Sequence, residues 1–533
     1  MRKYIVILTI ISSFYSCSDN FLVVVPKNEL SDAIFWKTKD DATMALVGCY
    51  KDWETWDNIL WGDAMSDNLY AQFYDFPKIA EGTWLSTSGL SYERWFAQES
   101  TGVGMNWISY SRLRKYNNFL SKIEPIIMDQ SIKEIYKAEV RFLRVYDYFN
   151  KTQYYGDIPL VTNVVPLDSV TNIRTPVAEV QKFCIDELEA ISKILPIQNN
   201  IQSLGHVTSG SALALKARME LYTGKFSEAM IDAKKVIDMN CYELNPDYRG
   251  MFLPGNATTC KEAILTINYV NNYITGRFIL QMLLPDSYGG YSGLGATKSL
   301  VDTYECSDGK IIEESSVYDP NSPFKNRDSR LEMTFLHPGM VWNGKIYNTL
   351  DRYLPDGSLN IDYHADVNAS RTGMNILKYI KGIPISEVPS TYGTNIVILR
   401  LAEMYLTFAE AAMETGQNKD IGLQLINKLR QRGNLPPATE LSMDLVRRER
   451  KVELALEGLR YWDIKRWNIG STVLNGPTYG SRDGSVNMTN GIVTWADSYI
   501  KVDDKTFNPA KNYLLPIPQS VIEASGLMQN PGY

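Results

Sequence analysis

Seven aromatic and amide side chains in two loop-like stretches are the residues of this chain best suited to non-covalent ligand chemistry. They are Asn68, Tyr70, Tyr74 and Trp84 in the first stretch and Tyr288, Tyr291 and Trp342 in the second. Aromatic rings stack on the flat C–H faces of sugars, and amide groups bind the hydroxyls at their edges. These residue types therefore predict a sugar-binding surface. The alternative for each ring is that it packs inside its own loop.

The aromatic composition supports the same prediction. The chain contains 33 Tyr and 11 Trp but only 17 Phe. Tyr and Trp combine an apolar ring with a polar tip, so they are common at surfaces that contact a ligand or a partner. The alternative is that the tyrosines cap the core and fill loops.

Residues that could carry out catalysis or bind a metal do not form any known pattern. His206, His337 and His364 are widely separated and lack metal-ligand spacing, and no nucleophile elbow or phosphate loop is found. The acidic stretch 351–362 misses the spacing of a calcium-binding EF-hand. We predict no catalytic residue, no metal and no cofactor. A glycosidase carboxylate pair from distant segments and a calcium ion in the acidic stretch stay open.

The first residues predict export and a lipid anchor. Arg2 and Lys3 precede a short apolar run, and Cys17 follows it. The run is shorter than the roughly 20 residues that span a bilayer, so it is typical of a signal peptide. We predict a lipoprotein signal peptide over residues 1–16 and lipidation of Cys17. The alternative is an ordinary secretory peptide cleaved nearby.

Charge and cysteine usage argue against nucleic-acid-binding, electrostatically membrane-bound and disulfide-rich proteins. The chain has 54 basic and 61 acidic residues and a net charge of −7, which argues against nucleic acid and against electrostatic binding to anionic lipid. Apart from Cys17, five cysteines remain without close pairs. This pattern favours isolated buried thiols over a disulfide framework and leaves a single bridge possible.

The pattern of apolar residues predicts a helical scaffold interrupted by long inserts. Ser131 and Glu134 form a capping-box signature before a helix that reaches Phe149, and Pro176 opens a helix to about residue 194. Helices over about 211–222 and 226–239, separated by a glycine turn, resemble a tetratricopeptide repeat. Stretches 53–107, 246–392 and 468–512 are rich in Gly, Asn and aromatic residues, which predicts functional loops.

A charged helix is predicted from Leu445 to about Trp467. Its apolar residues fall on one face, and its arginine, lysine and glutamate residues largely occupy the other. Such a pattern is typical of a solvated face with ion pairs one turn apart, and we prefer that interpretation to a ligand site.

Four blocks, in order along the chain, carry a resemblance to a known family. They are FL, P, FWKT and DDA within residues 21–42, KAEVRFLRVYDYF and YGDIPLV within 137–161, RRER and EGLRYWDIKRW within 447–467, and LPIPQ and QNPGY within 515–533. Together with Cys17, these blocks resemble the SusD/RagB family of outer-membrane nutrient-binding lipoproteins of the Bacteroidetes. The similarity extends over nearly the whole chain.

The resemblance implies a fold and a function. The fold is mainly α, a SusD-like fold in which tetratricopeptide-like helix pairs form the scaffold and irregular loops with short strands carry the ligand surface. We expect a single SusD-like domain over 17–533, with the helix pairs in 17–245 and the loop-rich insert and C-terminal helices in 246–533. The YGD motif at 155–157 and the run 460–467 would then be structural.

The implied function is non-catalytic binding of an oligosaccharide or polysaccharide at the cell surface. The partner would be a SusC-like TonB-dependent transporter, the lipid on Cys17 would hold the protein to the outer membrane, and no nucleic acid would bind. Two alternatives stay open. One is a secreted glycoside hydrolase, and the other is a tetratricopeptide adaptor that binds only proteins.

Overall fold

The computed structural model describes residues 35–51, 53–73, 77–88, 109–166, 172–198, 205–254, 260–269, 274–388, 393 and 395–533. Its fold is mainly helical, as the sequence predicts. The helices are α1 (Lys39–Tyr50), α2 (Trp56–Leu60), α3 (Pro77–Ala80), α4 (Ser111–Lys122), α5 (Gln130–Tyr155), α6 (Val177–Ser192), α7 (Ser209–Tyr222), α8 (Phe226–Asp238), α9 (Ile274–Leu283), α10 (Lys298–Thr303), α11 (Arg330–Thr334), α12 (Leu401–Thr415), α13 (Lys419–Arg432), α14 (Met443–Glu453), α15 (Arg460–Arg466), α16 (Gly470–Val473) and α17 (Gln519–Ser525).

The strands are short except for one long pair. They are β1 (Leu69–Ala71), β2 (Ala263–Ile267), β3 (Leu294–Ala296), β4 (Phe335–Leu336), β5 (Val341–Trp342), β6 (Lys345–Ile346), β7 (Asn375–Ile376), β8 (Ile396–Arg400), β9 (Gly476–Val486) and β10 (Val493–Lys505). Strands β1, β3, β7 and β4 form a sheet in that order, and β2 pairs with β8, β5 with β6 and β9 with β10. All of these pairings are antiparallel.

Helices pack in a series of pairs that form the scaffold. Helix α5 packs on α6, α6 on α7, α7 on α8, α8 on α12, and α12 on α13. The turn between α7 and α8 requires Gly224, which has φ 74 and lies in the region that favours glycine. Ala229 is fully buried where the two helices approach. The predicted tetratricopeptide-like pair is therefore present.

The YGD motif is structural, as expected, because it caps a helix that begins 20 residues later. The backbone N–H of Val177 donates to Asp157 Oδ1 at 2.8 Å, and the N-cap residue Pro176 supplies no side-chain bond. The predicted capping box at the start of α5 is wrong. Asp129 caps that helix by accepting from the N–H of Ile132 at 3.0 Å, because the helix begins at Gln130.

The predicted charged helix is two helices, and its charged face is not solvated. Helix α14 ends at Glu453, Leu456 has φ 68 in the turn that follows, and α15 starts at Arg460. Glu449 and Glu453 are 3% and 0% exposed, and both lie against the guanidinium of Arg330. Arginine pairs with carboxylates through several charge-assisted hydrogen bonds, so these charges can be buried where they are fully paired. The interpretation as a solvated face was wrong.

Stretch 468–512, predicted to be a loop insert, contains the long ribbon of β9 and β10. Its inner face packs through Leu350, Val486 and Ile500 in a small apolar cluster. The pairing shifts register between Trp495 and Tyr499, which marks irregular positions in the ribbon. Gly and Ser residues hide the alternation of apolar and polar positions that would have predicted two strands.

The described cysteines are free, in agreement with the sequence. Cys49, Cys184 and Cys306 are buried, and Cys241 and Cys260 are half-buried. The predicted lipidation site Cys17 lies outside the described residues. Within the part of the chain that the structure describes, no helix is long and apolar enough to cross a membrane.

Candidate functional site

Two predicted ligand residues, Tyr288 and Trp342, lie in ring contact. Their ring centroids are 4.7 Å apart and the ring planes are inclined by 44°. Tyr288 ends a 3-10 turn that begins at Asp286, and Trp342 ends β5. Both residues are half-buried. Two loops that are far apart in sequence thus present one half-buried pair of inclined rings.

Asn343 places an amide group beside this pair. Its Nδ2 donates to the carbonyl oxygen of Gly382 at 2.7 Å and to Tyr288 Oη at 3.4 Å. Asn343 and Gly344 have φ 50 and φ 74, the values of a two-residue hairpin turn between β5 and β6. Asn343 is exposed, and its amide oxygen accepts no hydrogen bond from the described residues. A ligand hydroxyl can therefore donate to it.

Tyr291 extends the aromatic surface. Gln281 Nε2 donates to Tyr291 Oη at 3.2 Å and to the carbonyl oxygen of Gly289 at 3.4 Å, so one amide links Tyr291 to the turn that carries Tyr288. Phe73 packs edge-on against Tyr291, with ring centroids 6.2 Å apart. We call Phe73, Tyr288, Tyr291 and Trp342 the aromatic face.

Glycines shape the loop that carries the two tyrosines. A Cβ on Gly290 would lie 2.1 Å from the carbonyl oxygen of Leu284, so the chain can approach the end of α9 only with glycine at this position. Gly289 has φ 76, and a Cβ there would lie 2.5 Å from Ile385 Cγ2. These two residues turn the loop back so that both Tyr288 and Tyr291 reach the same surface.

Carboxylates near the aromatic face hold its loops. Asp362 Oδ1 accepts from the backbone N–H of Ser287 at 3.0 Å, and burial raises the pKa of this carboxyl. Asp351 Oδ2 accepts from Asn348 and from the N–H of Val486. The acidic stretch 351–362 therefore orders loops. Among the described residues, no group of three or more His, Cys, Asp or Glu side chains is arranged to hold a metal ion.

The remaining predicted ligand residues lie elsewhere. Asn68 and Trp84 are 1% and 5% exposed, so both belong to the interior and are not available to a surface ligand, which corrects those two assignments. Tyr70 is half-buried beside Asp503 and Glu81, and burial together with these charges raises its pKa. Tyr74 lies outside the described residues. No local sequence pattern separates the buried residues of this set from those nearer the surface.

Two residues of the site were missed. Phe73 follows Tyr70 by three positions, and its aromatic character in a stretch already selected was a usable signal. Gln281 lies in α9, and no sequence pattern indicated that its amide would reach Tyr291.

Helix pairs form the scaffold of this molecule, and its loops carry the aromatic face. The chain belongs to the SusD family, whose model matches residues 254–533. This result confirms the resemblance carried by the four sequence blocks.

Relatives match over most of the chain. A SusD-like protein of Formosa agariphila is 25% identical over 501 residues, covering 87% of this chain and 90% of its own length. The starch-binding protein SusD of Bacteroides thetaiotaomicron is 25% identical over 460 residues, covering 79% of this chain and 76% of its own length. The crystal structure of a SusD-like carbohydrate-binding protein of Bacteroides fragilis superposes with a TM-score of 0.78 at 27% identity, covering 91% of this chain and 98% of that one.

Proposed function

We propose that this chain binds an oligosaccharide or polysaccharide through the aromatic face and does not cleave it. The contact between Tyr288 and Trp342, with the amide of Asn343 beside it, carries the proposal. The names of the starch-binding relative and of the carbohydrate-binding structural neighbour support it.

The geometry of the two rings suits a carbohydrate chain. Rings inclined by 44° form a bent surface, and a bent surface follows successive sugar units better than a flat one. Each ring stacks on the C–H face of one sugar unit, while the amide oxygen of Asn343 accepts from a hydroxyl at its edge. Tyr291 lies three residues further along the loop and extends the contact.

The proposal includes delivery to a transporter. The helix pairs would dock on a SusC-like TonB-dependent transporter, and a lipid on Cys17 would hold the protein at the outer-membrane surface. A binding protein without catalysis contributes to uptake only if it stays close to the transporter, and family membership supports this role.

A glycan array tests the ligand proposal. The mature chain is applied to starch, fructan, mucin, plant and algal glycans, and each hit is measured by calorimetry and assayed for released reducing ends. We expect saturable binding without reducing ends. Binding to none of the glycans would contradict the proposal, and released reducing ends would favour a hydrolase.

Membrane fractionation tests the delivery proposal. The full chain, tagged at its C-terminus, should stay with the outer-membrane fraction and co-purify with a TonB-dependent transporter. The Cys17→Ala variant should leave that fraction. If the variant stays in the membrane fraction, the lipid anchor is assigned wrongly, whereas the ligand proposal is unaffected.

A further inference from the structure

A second cleft, of about 250 Å³, opens between α10 and the paired ends of β9 and β10. The residues used below are Asp67, Lys298, Asp302, Thr478, Tyr479 and Lys505, which all line it. Pockets for drug-sized ligands measure about 300–1,000 Å³, so this cleft suits a single sugar unit. None of these residues belongs to the aromatic face.

Lys505 is a buried cation on the wall of this cleft. Its side chain is 6% exposed, and Nζ donates to the carbonyl oxygen of Ser66 at 2.7 Å. Among the described residues, no carboxylate lies within ion-pair distance of this ammonium. A buried cation without an ionic partner is costly, and burial lowers the pKa of Lys505 accordingly. An ammonium has three donors, so two are left for a ligand.

The other charges that line the cleft are already matched. Asp67 pairs with Lys451 at 2.8 Å and with Arg460 at 2.7 Å, so its single negative charge faces two positive ones. Lys298 pairs with Asp302. The lining and its direct partners therefore carry a positive surplus, which favours an anionic ligand group over a cationic one.

Three carboxylates act on Lys505 from beyond ion-pair distance. Asp67, which lines the cleft, and Asp503 and Glu81, which do not, all favour its charged form. Burial, together with the charge of Glu81, raises the pKa of Asp503 to about 6. These carboxylates help to keep Lys505 charged but leave its remaining donors unused.

The rim of the cleft offers groups that recognise a sugar. The rings of Tyr479 and Tyr499 have centroids 6.1 Å apart, inclined by 56°, and Lys298 Nζ lies 5.1 Å from the Tyr499 centroid. The hydroxyls of Thr478 and Tyr479 make no hydrogen bond to the described residues. The ring of Tyr479 and the unused hydroxyls of Thr478 and Tyr479 thus line the same cleft as the buried ammonium.

We propose that this cleft binds a sugar unit that carries an oxyanion, with Lys505 as the ionic partner and Tyr479 as the stacking surface. The oxyanion is the carboxylate of a uronic acid or the ester of a sulfated sugar, since both present the same acceptor oxygens. The site is additional to the aromatic face and does not depend on the function proposed for that face.

Calorimetry with three monosaccharides tests the charge preference. The intact protein is titrated with glucuronate, glucose 6-sulfate and glucose. We expect at least one charged sugar to bind 10-fold more tightly than glucose. The charged sugar that binds identifies the source of the oxyanion, and tight binding of both indicates that the site accepts either. Equal affinities for all three, or no binding, would overturn the proposal.

Variants locate the binding. Lys505→Met should weaken binding of the charged sugar at least 10-fold, whereas Lys182→Met, which removes an exposed charge, should leave it unchanged. If Lys505→Met does not fold, Thr478→Trp tests whether the charged sugar binds in this cleft, because the tryptophan fills the cleft and the lysine is kept. We expect Thr478→Trp to weaken binding of the charged sugar. Unchanged affinity in Thr478→Trp would overturn the proposal.

The aromatic face provides the last control. Trp342→Ala should keep the affinity for the charged sugar. If Trp342→Ala abolishes it, the charged sugar binds at the aromatic face, so this proposal fails while the proposed function stands.

Discussion

Arg400 Nη1 lies 2.6 Å from Glu453 Oε1, and this buried ion pair joins the last residue of β8 to the last residue of α14. The two side chains are 1% and 0% exposed. Glu453 also accepts from Arg330 at 2.8 Å, and Arg432 pairs with it as well. Glu453 thus contacts three guanidinium groups from three different segments. The same guanidinium groups also pair with Asp328, Glu449, Glu262 and Glu457.

Replacing this carboxylate should destabilise the fold strongly. Glu453→Gln leaves three buried guanidinium groups without their common partner, and breaking a buried pair costs about 3–5 kcal/mol. Thermal unfolding followed by circular dichroism measures the effect. The matched control is Asp186→Asn, which breaks the exposed Lys182–Asp186 pair and should cost less than about 1 kcal/mol. Equal losses in the two variants would contradict the role of burial.

The stabilising contribution of Glu453 should decrease at acid pH. Its three arginine partners lower the pKa of Glu453 from 4.5 to about 2. A carboxyl with a lowered pKa in the folded state stabilises the fold fully above its unfolded pKa and loses that contribution as pH falls. The difference in melting temperature between wild type and Glu453→Gln should therefore shrink from pH 4.5 towards pH 2. A constant difference would show that the carboxylate is not the titrating group.

The charged helix shows what the sequence could not predict. Its amphipathic pattern was correctly recognised, but a pattern does not tell whether the charged side meets water or other charges. The partner of Glu449, Arg330, lies 119 residues away in the chain, and nothing local indicates the pairing. In contrast, Gly224 and Ala229 act within a few residues of each other, and the helix pair they form was predicted.

The aromatic face also combines features that local sequence predicts with features that depend on distant segments. Composition selected the right kind of residue but not which rings are exposed, because burial is decided by the segments packed around them. Trp84 lies in the interior, whereas Trp342 reaches the surface at a hairpin turn. The Asn-Gly dipeptide after Trp342 is a local signal for a hairpin turn, and both of its residues have the positive φ that such a turn requires.

Two histidines should respond to pH in opposite directions. The hydrogen bond to Glu139 raises the pKa of His206, so its contribution to stability is present below its unfolded pKa of about 6.5 and is lost as pH rises through the higher folded value. Burial lowers the pKa of His364, so stability rises with pH there. Melting temperatures between pH 5 and 8.5 should show the advantage of wild type over His206→Gln falling and that over His364→Gln growing. Parallel slopes would contradict both assignments.

Two glycine substitutions should have different effects, one on glycan binding and the other on the stability of the fold. A Cβ on Gly382 would lie 1.4 Å from Asn343 Nδ2, so Gly382→Ala should displace that amide and weaken glycan binding as much as Asn343→Ala does. Gly48 lies in α1 with nothing within 4 Å of its Cβ position. Gly48→Ala should therefore stabilise the fold by about 0.5–1 kcal/mol and leave binding unchanged. Full affinity in Gly382→Ala would remove Asn343 from the site.

Loss of the helix cap at Asp157 should cost a moderate amount of stability. Asp157→Ala leaves the N–H of Val177 without its acceptor, and losing an N-cap bond costs about 0.5–2 kcal/mol. Asp157→Asn keeps an acceptor oxygen and serves as the control. Differential scanning calorimetry should place the asparagine variant between wild type and the alanine variant. No loss in Asp157→Ala would mean that the motif does not support α6.

The two rings of the aromatic face should act together in binding. Because Tyr288 and Trp342 are in contact, removing either ring also disturbs the orientation of the other, so Tyr288→Ala and Trp342→Ala should each weaken glycan binding about 10-fold or more, and their effects should not add. A double-mutant cycle by calorimetry measures the coupling. Tyr353→Ala removes an exposed tyrosine that lies outside the pair and should keep full affinity. Additive losses would mean that the two rings do not depend on each other for their orientation, and full affinity in both single variants would remove the pair from the site.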